Sequence, residues 1–113
     1  MLNWSDYRKQ LGAALGGLNQ VHPELMKGFH ALDAGAAQTA TLDAKTRELI
    51  ALAVAVTTRC DGCIAFHTEA AVKAGATRQE IAEALGVAIA LNAGPALIYS
   101  ARVMDAFAQQ TGG

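Results

Sequence analysis

Alanine is the residue that most constrains the fold of this chain. It accounts for 25 of the 113 residues. Alanine has the highest helix propensity of any residue, and its small side chain lets neighbouring helices approach closely. A chain of this length forms one domain, since domains typically hold about 100 to 150 residues. The composition therefore predicts an all-α fold, with residues 1–113 as a single domain.

The N-terminal third of the chain predicts two helices. Asn3 or Ser5 can cap the first helix, and the Gly-Gly pair at 16–17 is expected to end it. Pro23 is suited to the first position of a second helix, because its missing N–H would have no partner there. Small and polar residues over 35–41 are expected to end this helix.

A continuous apolar run marks the middle of the chain. The eight residues Leu49–Val56 are all apolar, within a segment from Asp43 to Thr58. The β-branched Val54 and Val56 also fit a short buried strand, but the length of the segment and its alanines favour a helix. A helix that is apolar on every side is expected to be buried.

Three further helices follow. The fourth should run from about Cys60 to Ala74, with Gly75 just past its end. The run Thr77-Arg78-Gln79-Glu80 fits a capping box, in which the first and fourth residues cap each other, and it starts the fifth helix. Residues 92–95 should end or kink that helix and begin a sixth. The sequence thus predicts a bundle of about six helices.

Charge and hydropathy exclude several classes of partner. Nine basic and ten acidic residues are scattered without a cluster, so no nucleic-acid-binding surface is expected. An apolar run of eight residues is far below the ~20 that a membrane-spanning helix needs. The N-terminus lacks a secretory signal pattern, which predicts a cytoplasmic protein. Charged residues make up 17% of the chain, below the roughly 25% of an average domain, and the apolar excess predicts an oligomer.

The two cysteines carry most of the functional information. Cys60 and Cys63 are followed by His67, and helical spacing places the three side chains on one stripe. Cys60 stands where the helix begins, and free backbone N–H groups there stabilise a thiolate. A second thiol at this spacing can resolve a sulfenic acid as a disulfide. The pattern is typical of dithiol redox chemistry.

Two other interpretations of these residues stay open. Free cysteines are often buried as small apolar side chains. Alternatively, Cys60, Cys63 and His67 could supply three ligands to zinc, although only His22 and His30 remain as further soft donors. Covalent haem attachment is excluded, because Ile64 rather than histidine follows the second cysteine.

Glu48 is the acidic residue of most interest. It opens the apolar run and shares a helical stripe with Leu52, Ala55 and Val56. Its carboxylate must lie either at the solvated end of the helix or in the interior with a partner. Spacing alone does not distinguish these positions.

At these residues the sequence resembles the alkylhydroperoxidase D-like proteins, which are grouped with the carboxymuconolactone decarboxylases. The resemblance runs from about Pro23 to Phe107. Its core is an acidic residue twelve positions before Cys-x-x-Cys and a histidine four after it, matched here by Glu48, Cys60, Cys63 and His67. Gly62 stands directly before Cys63, where the best-studied peroxidase branch carries histidine.

The resemblance implies an all-helical fold, assembly into homotrimers or homohexamers, and cofactor-free, metal-free reduction of hydroperoxides. It implies that Cys63 attacks the peroxide, that Cys60 resolves the sulfenic acid, and that His67 with Glu48 relays the proton. The substrate would be a small hydroperoxide or disulfide, and a thiol electron donor would restore the protein. Two alternatives are a lyase acting on a small lactone or carboxylate, and a non-catalytic redox-sensing oligomer.

Overall fold

The computed structural model of the protein describes residues 1–38 and 41–112. These residues form six α-helices, as predicted, and no strand is found in those two ranges. The helices are α1 (Trp4–Val21), α2 (Pro23–Ala36), α3 (Ala44–Thr58), α4 (Asp61–Lys73), α5 (Arg78–Asn92) and α6 (Gly94–Thr111). Over the described ranges, no helix is long and apolar enough to cross a membrane.

The predicted helix starts agree closely with the structure. Asn3 caps α1 by accepting from Asp6 N–H, Asp43 caps α3 in the same way from Thr46 N–H, and Pro23 lies in the first turn of α2. The capping box at the start of α5 has both of its hydrogen bonds. These positions were predictable because a cap depends on residues close together in sequence.

The predicted end of α1 at residues 16–17 is wrong, because the helix continues to Val21. A glycine inside a helix costs only about 1 kcal/mol relative to alanine and need not end it. The helix ends instead at His22, whose φ of −140° and ψ of 71° are non-helical. Pro23 causes this, since a proline disfavours the helical conformation of the residue before it.

The core lies between α3, α4, α5 and α6. Its largest fully buried side chains are Leu52 and Val56 of α3, Ile64 and Thr68 of α4, Ile81 of α5 and Val103 of α6. Small residues at several contacts, among them Ala55, Ala71 and Ala96, are also buried. Alanine therefore acts here as predicted, by allowing closely packed helices.

The prediction that α3 is buried on every side is wrong for the single chain. Leu52 and Val56 are fully buried, but Ile50 and Val54 are 50% and 53% exposed. Helices α4, α5 and α6 cover only one side of α3.

The segment expected to end α2 includes Thr39 and Ala40, which lie outside the described residues.

Candidate functional site

The two cysteines lie at the start of α4 and form a disulfide bond. Cys60 is the N-cap residue with an extended backbone, and its Cα lies 5.2 Å from that of Cys63. The backbone N–H of Cys63 donates to Cys60 Sγ at 3.1 Å. When the disulfide is reduced, this N–H and the positive end of the helix favour a negative charge on Cys60.

Glu48 and His67 form a second pair. Glu48 is only 7% exposed, and His67 Nδ1 lies 2.7 Å from a Glu48 carboxylate oxygen. Of the two positions open to Glu48, the structure has the one in the interior with a partner. The bond to Nδ1 orients the ring and leaves Nε2 for proton exchange.

Helix α4 and its N-cap carry both cysteines and His67 on one stripe. His67 follows Cys63 by four residues, so one helical turn separates the imidazole from the second cysteine. Helix α3 brings Glu48 to the same side of α4. The four predicted residues thus form two bonded pairs on two packed helices. Within residues 1–38 and 41–112, no three His, Cys, Asp or Glu side chains converge as they would around a metal ion.

A cleft of about 430 Å³ opens beside His67 and Glu48. The end of α2 forms one wall, with Ala36 and Ala37, and the opposite wall is largely apolar, including Ile50 and Phe66. Arg47 also lines the cleft, and its guanidinium donates to the Ala37 carbonyl at 3.1 Å. An apolar cleft with one polar side suits a small organic molecule.

Gly62, which directly precedes Cys63, lies against Leu11 of α1. A Cβ at this position would lie 2.8 Å from Leu11 Cδ2. A larger side chain here would therefore require Leu11 to move. Leu11 occupies space that the side chain of a histidine before the second cysteine would need.

Sequence reasoning missed an ion pair inside the motif. Asp61 follows Cys60, and its two carboxylate oxygens accept from Arg102 Nε and an Arg102 terminal nitrogen, both at 2.7 Å. This hydrogen bonding to Asp61 is the largest cause that raises the pKa of Arg102 above its usual value. Forty-one residues separate the pair, and no local pattern indicates such a contact.

The chain matches one family profile and several curated relatives. The profile of the carboxymuconolactone decarboxylase family matches residues 23–106. An uncharacterized protein from Haemophilus influenzae is 51% identical over 108 residues, covering 96% of both chains. The protein designated uncharacterized protein 4 in the cox locus of Paracoccus denitrificans is 36% identical, covering 81% of this chain and 83% of its own.

A solved structure has the same fold. The crystal structure of the apo form of a carboxymuconolactone decarboxylase family protein from Legionella pneumophila superimposes with a TM-score of 0.91. The two chains are 42% identical, and the match covers 96% of each. On the family match and this structural similarity, the chain belongs to the carboxymuconolactone decarboxylase family.

Proposed function

We propose that this protein is a dithiol peroxidase or disulfide oxidoreductase that reduces organic hydroperoxides without a cofactor. The observation that carries the proposal is the Cys60–Cys63 disulfide at the start of α4, on the helix that also holds His67 against buried Glu48. A thiol pair at a helix N-terminus beside a potential proton donor has the groups that peroxide reduction needs.

The proposed reaction has two steps in the reduced protein. The Cys63 thiolate attacks the terminal oxygen of the hydroperoxide, the O–O bond breaks, and an alcohol leaves with a proton while Cys63 becomes a sulfenic acid. The Cys60 thiolate then attacks the Cys63 sulfur, which forms the disulfide and releases water after protonation. A thiol donor supplies two electrons to restore both thiols.

The geometry of Cys60 supports its role as the resolving thiol. The Cys63 N–H hydrogen bond to Cys60 Sγ favours the thiolate that must attack the sulfenic acid. The same stabilisation makes Cys60 the better leaving group when a donor thiol attacks Cys63. His67 would protonate the departing alcohol, with Glu48 as the positioning residue that holds its ring.

Hydroperoxide consumption by the reduced protein tests the proposal. Reduced protein mixed with cumene hydroperoxide should lose two titratable thiols per chain and consume one equivalent of peroxide. Cys63→Ser should abolish this consumption. Cys60→Ser should consume one equivalent and stop at a Cys63 sulfenic acid, which dimedone would trap.

Other outcomes would assign a different function. If Cys63→Ser consumes peroxide at the normal rate, the proposed mechanism is wrong. Activity on a small lactone that survives both Cys→Ser changes would identify a lyase. An oligomer mass that changes on oxidation, with no peroxide turnover, would identify a redox-sensing assembly.

We also infer that the protein acts as a homo-oligomer, with a trimer or hexamer as the expected assembly. Large apolar side chains are exposed on all six helices, among them Leu32 of α2 at 73%, Val54 of α3 at 53% and Leu91 of α5 at 82%. Apolar side chains grouped on such faces are typical of subunit contacts. A monomeric mass by light scattering at micromolar concentration would overturn this inference.

A further inference from the structure

The residue between Cys60 and Gly62 is an aspartate at the start of α4, the helix that begins at the two cysteines. Asp61 is the first residue of α4, directly after the N-cap Cys60. A negative side chain at this end stabilises a helix through the positive end of its dipole. The same charge also opposes a thiolate on Cys60, because two anions would share one helix end.

Arg102 of α6 is positioned to neutralise this carboxylate. Its guanidinium binds both Asp61 oxygens at 2.7 Å, a bidentate geometry that is stronger than a single ionic contact. The Arg102 and Asp61 side chains are only 25% and 30% exposed. Solvent therefore screens their charges less than those of an ordinary surface pair.

Two aromatic rings hold the guanidinium in place. It lies 5.4 Å from the centre of the Trp4 ring and 5.5 Å from that of Tyr99, both within range for cation–π attraction. Trp4 is itself fixed, since its indole N–H donates to Asp105 at 2.8 Å. The position of Arg102 is thus set by contacts from α1, α4 and α6.

We propose that Arg102 is a positioning residue that controls the reactivity of the Cys60 thiol by neutralising Asp61. With Arg102 in place, the carboxylate supports the helix without opposing the thiolate. Without it, an unpaired anion beside Cys60 would disfavour the thiolate and make the thiol less reactive at neutral pH. This inference rests on the proposed function only for the role of the Cys60 thiol in peroxide reduction. The reactivity of the thiol itself can be measured without peroxide.

The other charges around the start of α4 do not supply this effect. Those on the packed helices have partners: Arg8 of α1 with Glu69, Glu48 of α3 with His67, and Asp105 of α6 with the N-terminal amino group. The phenols of Tyr7 and Tyr99 also lie near Arg102, and their contributions to its pKa are smaller than that of Asp61. Arg59 is exposed directly before Cys60, and its charge is common to every variant below.

Alkylation of Cys60 across pH tests the proposal. In a Cys63→Ser background Cys60 is the single thiol, and its rate of reaction with iodoacetamide follows the thiolate fraction. Arg102→Met should move the inflection of the rate profile to higher pH. At pH 7 the rate should fall about two- to fivefold, because a smaller thiolate population is partly offset by its higher intrinsic nucleophilicity.

Three further variants separate this role from a structural one. Adding Asp61→Asn to Arg102→Met should return the inflection to lower pH, and Arg102→Lys, which keeps the positive charge, should stay close to the parent. Asp61→Asn alone frees the positive charge of Arg102 and should lower the inflection. If Arg102→Met does not fold, Arg102→Gln, which also removes the charge but keeps polar atoms, takes its place in the comparison. A profile unchanged by Arg102→Met, or a shift that Asp61→Asn does not reverse, would overturn the proposal.

The readout also distinguishes this proposal from the peroxidase function. Alkylation needs no peroxide, so the predicted shifts would stand even if the protein consumed no hydroperoxide. Conversely, normal hydroperoxide consumption with an unchanged alkylation profile would overturn the role of Arg102 and leave the proposed function intact.

Discussion

The two halves of the chain are packed very differently. Helices α3 to α6 surround a shared core in which Leu52, Ile64, Ile81 and Val103 have no exposed surface. Helix α2 has no buried residue, and α1 has only Trp4. The α2 residues Leu25, Phe29 and Leu32 recur at helical spacing but are all more than half exposed.

This difference in packing matches a difference in what the two halves contribute to the candidate site. All four candidate redox residues lie on α3, at the start of α4 or within it, so the well-packed half fixes their geometry. The α1–α2 half contributes a wall of the cleft and the aromatic ring that contacts Arg102. Positioning of the reactive groups thus depends on the packed core, while the cleft beside His67 and Glu48 is bounded on one side by a helix with little packing of its own.

Truncating one leucine in each half should give the largest difference in the free energy of unfolding. Leu52→Ala removes a fully buried α3 side chain and should lower the free energy of unfolding by about 2 to 5 kcal/mol. Leu32→Ala removes the same atoms from an α2 position that is 73% exposed in the single chain. At protein concentrations low enough to keep the chain monomeric, it should change the free energy of unfolding by less than about 0.5 kcal/mol. Urea unfolding of each variant measures both values.

A large effect of Leu32→Ala would contradict the comparison as drawn for a single chain. It would show that α2 is buried in the assembled protein. Repeating the unfolding over a range of protein concentrations separates these cases, because a subunit contact makes stability depend on concentration.

The sequence predicts most helix boundaries but not which sides of a helix are covered. The capping box at Thr77, the start of α3 after Asp43 and the glycine after α4 are signals that a few adjacent residues carry. Helix α1 ends before the proline at 23 and not at the two glycines, because a proline disfavours the helical conformation of the preceding residue while a glycine only weakens a helix. The exposed side of α3 was missed because periodicity does not reveal how many neighbours a helix has.

In the candidate site too, residue spacing predicts contacts within one helix but not contacts between helices. Spacing placed Cys60, Cys63 and His67 on one stripe, but it left the position of Glu48 undecided. Only the packing of α3 on α4 brings Glu48 to His67, and only the packing of α6 on α4 brings Arg102 to Asp61. Pairs separated by 19 and 41 residues depend on tertiary structure.

The next contrast compares two acidic residues that line the same cleft. Glu48→Gln, on α3, removes the charge that holds His67 and should slow hydroperoxide reduction about 100-fold, the low end for loss of acid–base assistance. Asp33→Asn, on the α2 wall, should slow it by less than about threefold, because it contacts no reacting group. Single-turnover kinetics with cumene hydroperoxide measure both rates.

Equal effects of these two substitutions would show that charge in the cleft matters rather than the Glu48–His67 bond. The pH profile of the reaction gives a second readout. Glu48→Gln should shift that profile, and Asp33→Asn should leave it in place.

Trp4 is the point where the loosely packed half is anchored to the core. Trp4→Phe keeps an aromatic ring but loses the indole N–H that donates to Asp105, which should cost about 1.5 to 3 kcal/mol because the acceptor is charged. Tyr7→Phe removes only a hydroxyl from the neighbouring ring, with centroids 6.1 Å apart, and should cost less than about 0.5 kcal/mol. Thermal unfolding compares the two, and similar values would show that the aromatic contact rather than the hydrogen bond anchors α1.

The smallest expected effect is on the pH dependence of stability, and it comes from an ion pair within the packed half. Lys45 of α3 lies 2.8 Å from Glu80 of α5, and this contact, together with the Thr77 N–H, holds the pKa of Glu80 below its usual value near 4.5. Ionised Glu80 therefore contributes stability above that pH, and the contribution is lost as the pH falls through the lower pKa of the folded protein. Glu80→Gln should make stability less dependent on pH in this acidic range, and Lys45→Met should act in the same direction. If acid unfolding curves of both variants keep the slope of the parent, the pair does not link α3 to α5 in solution, and the stability of this half comes from its apolar core alone.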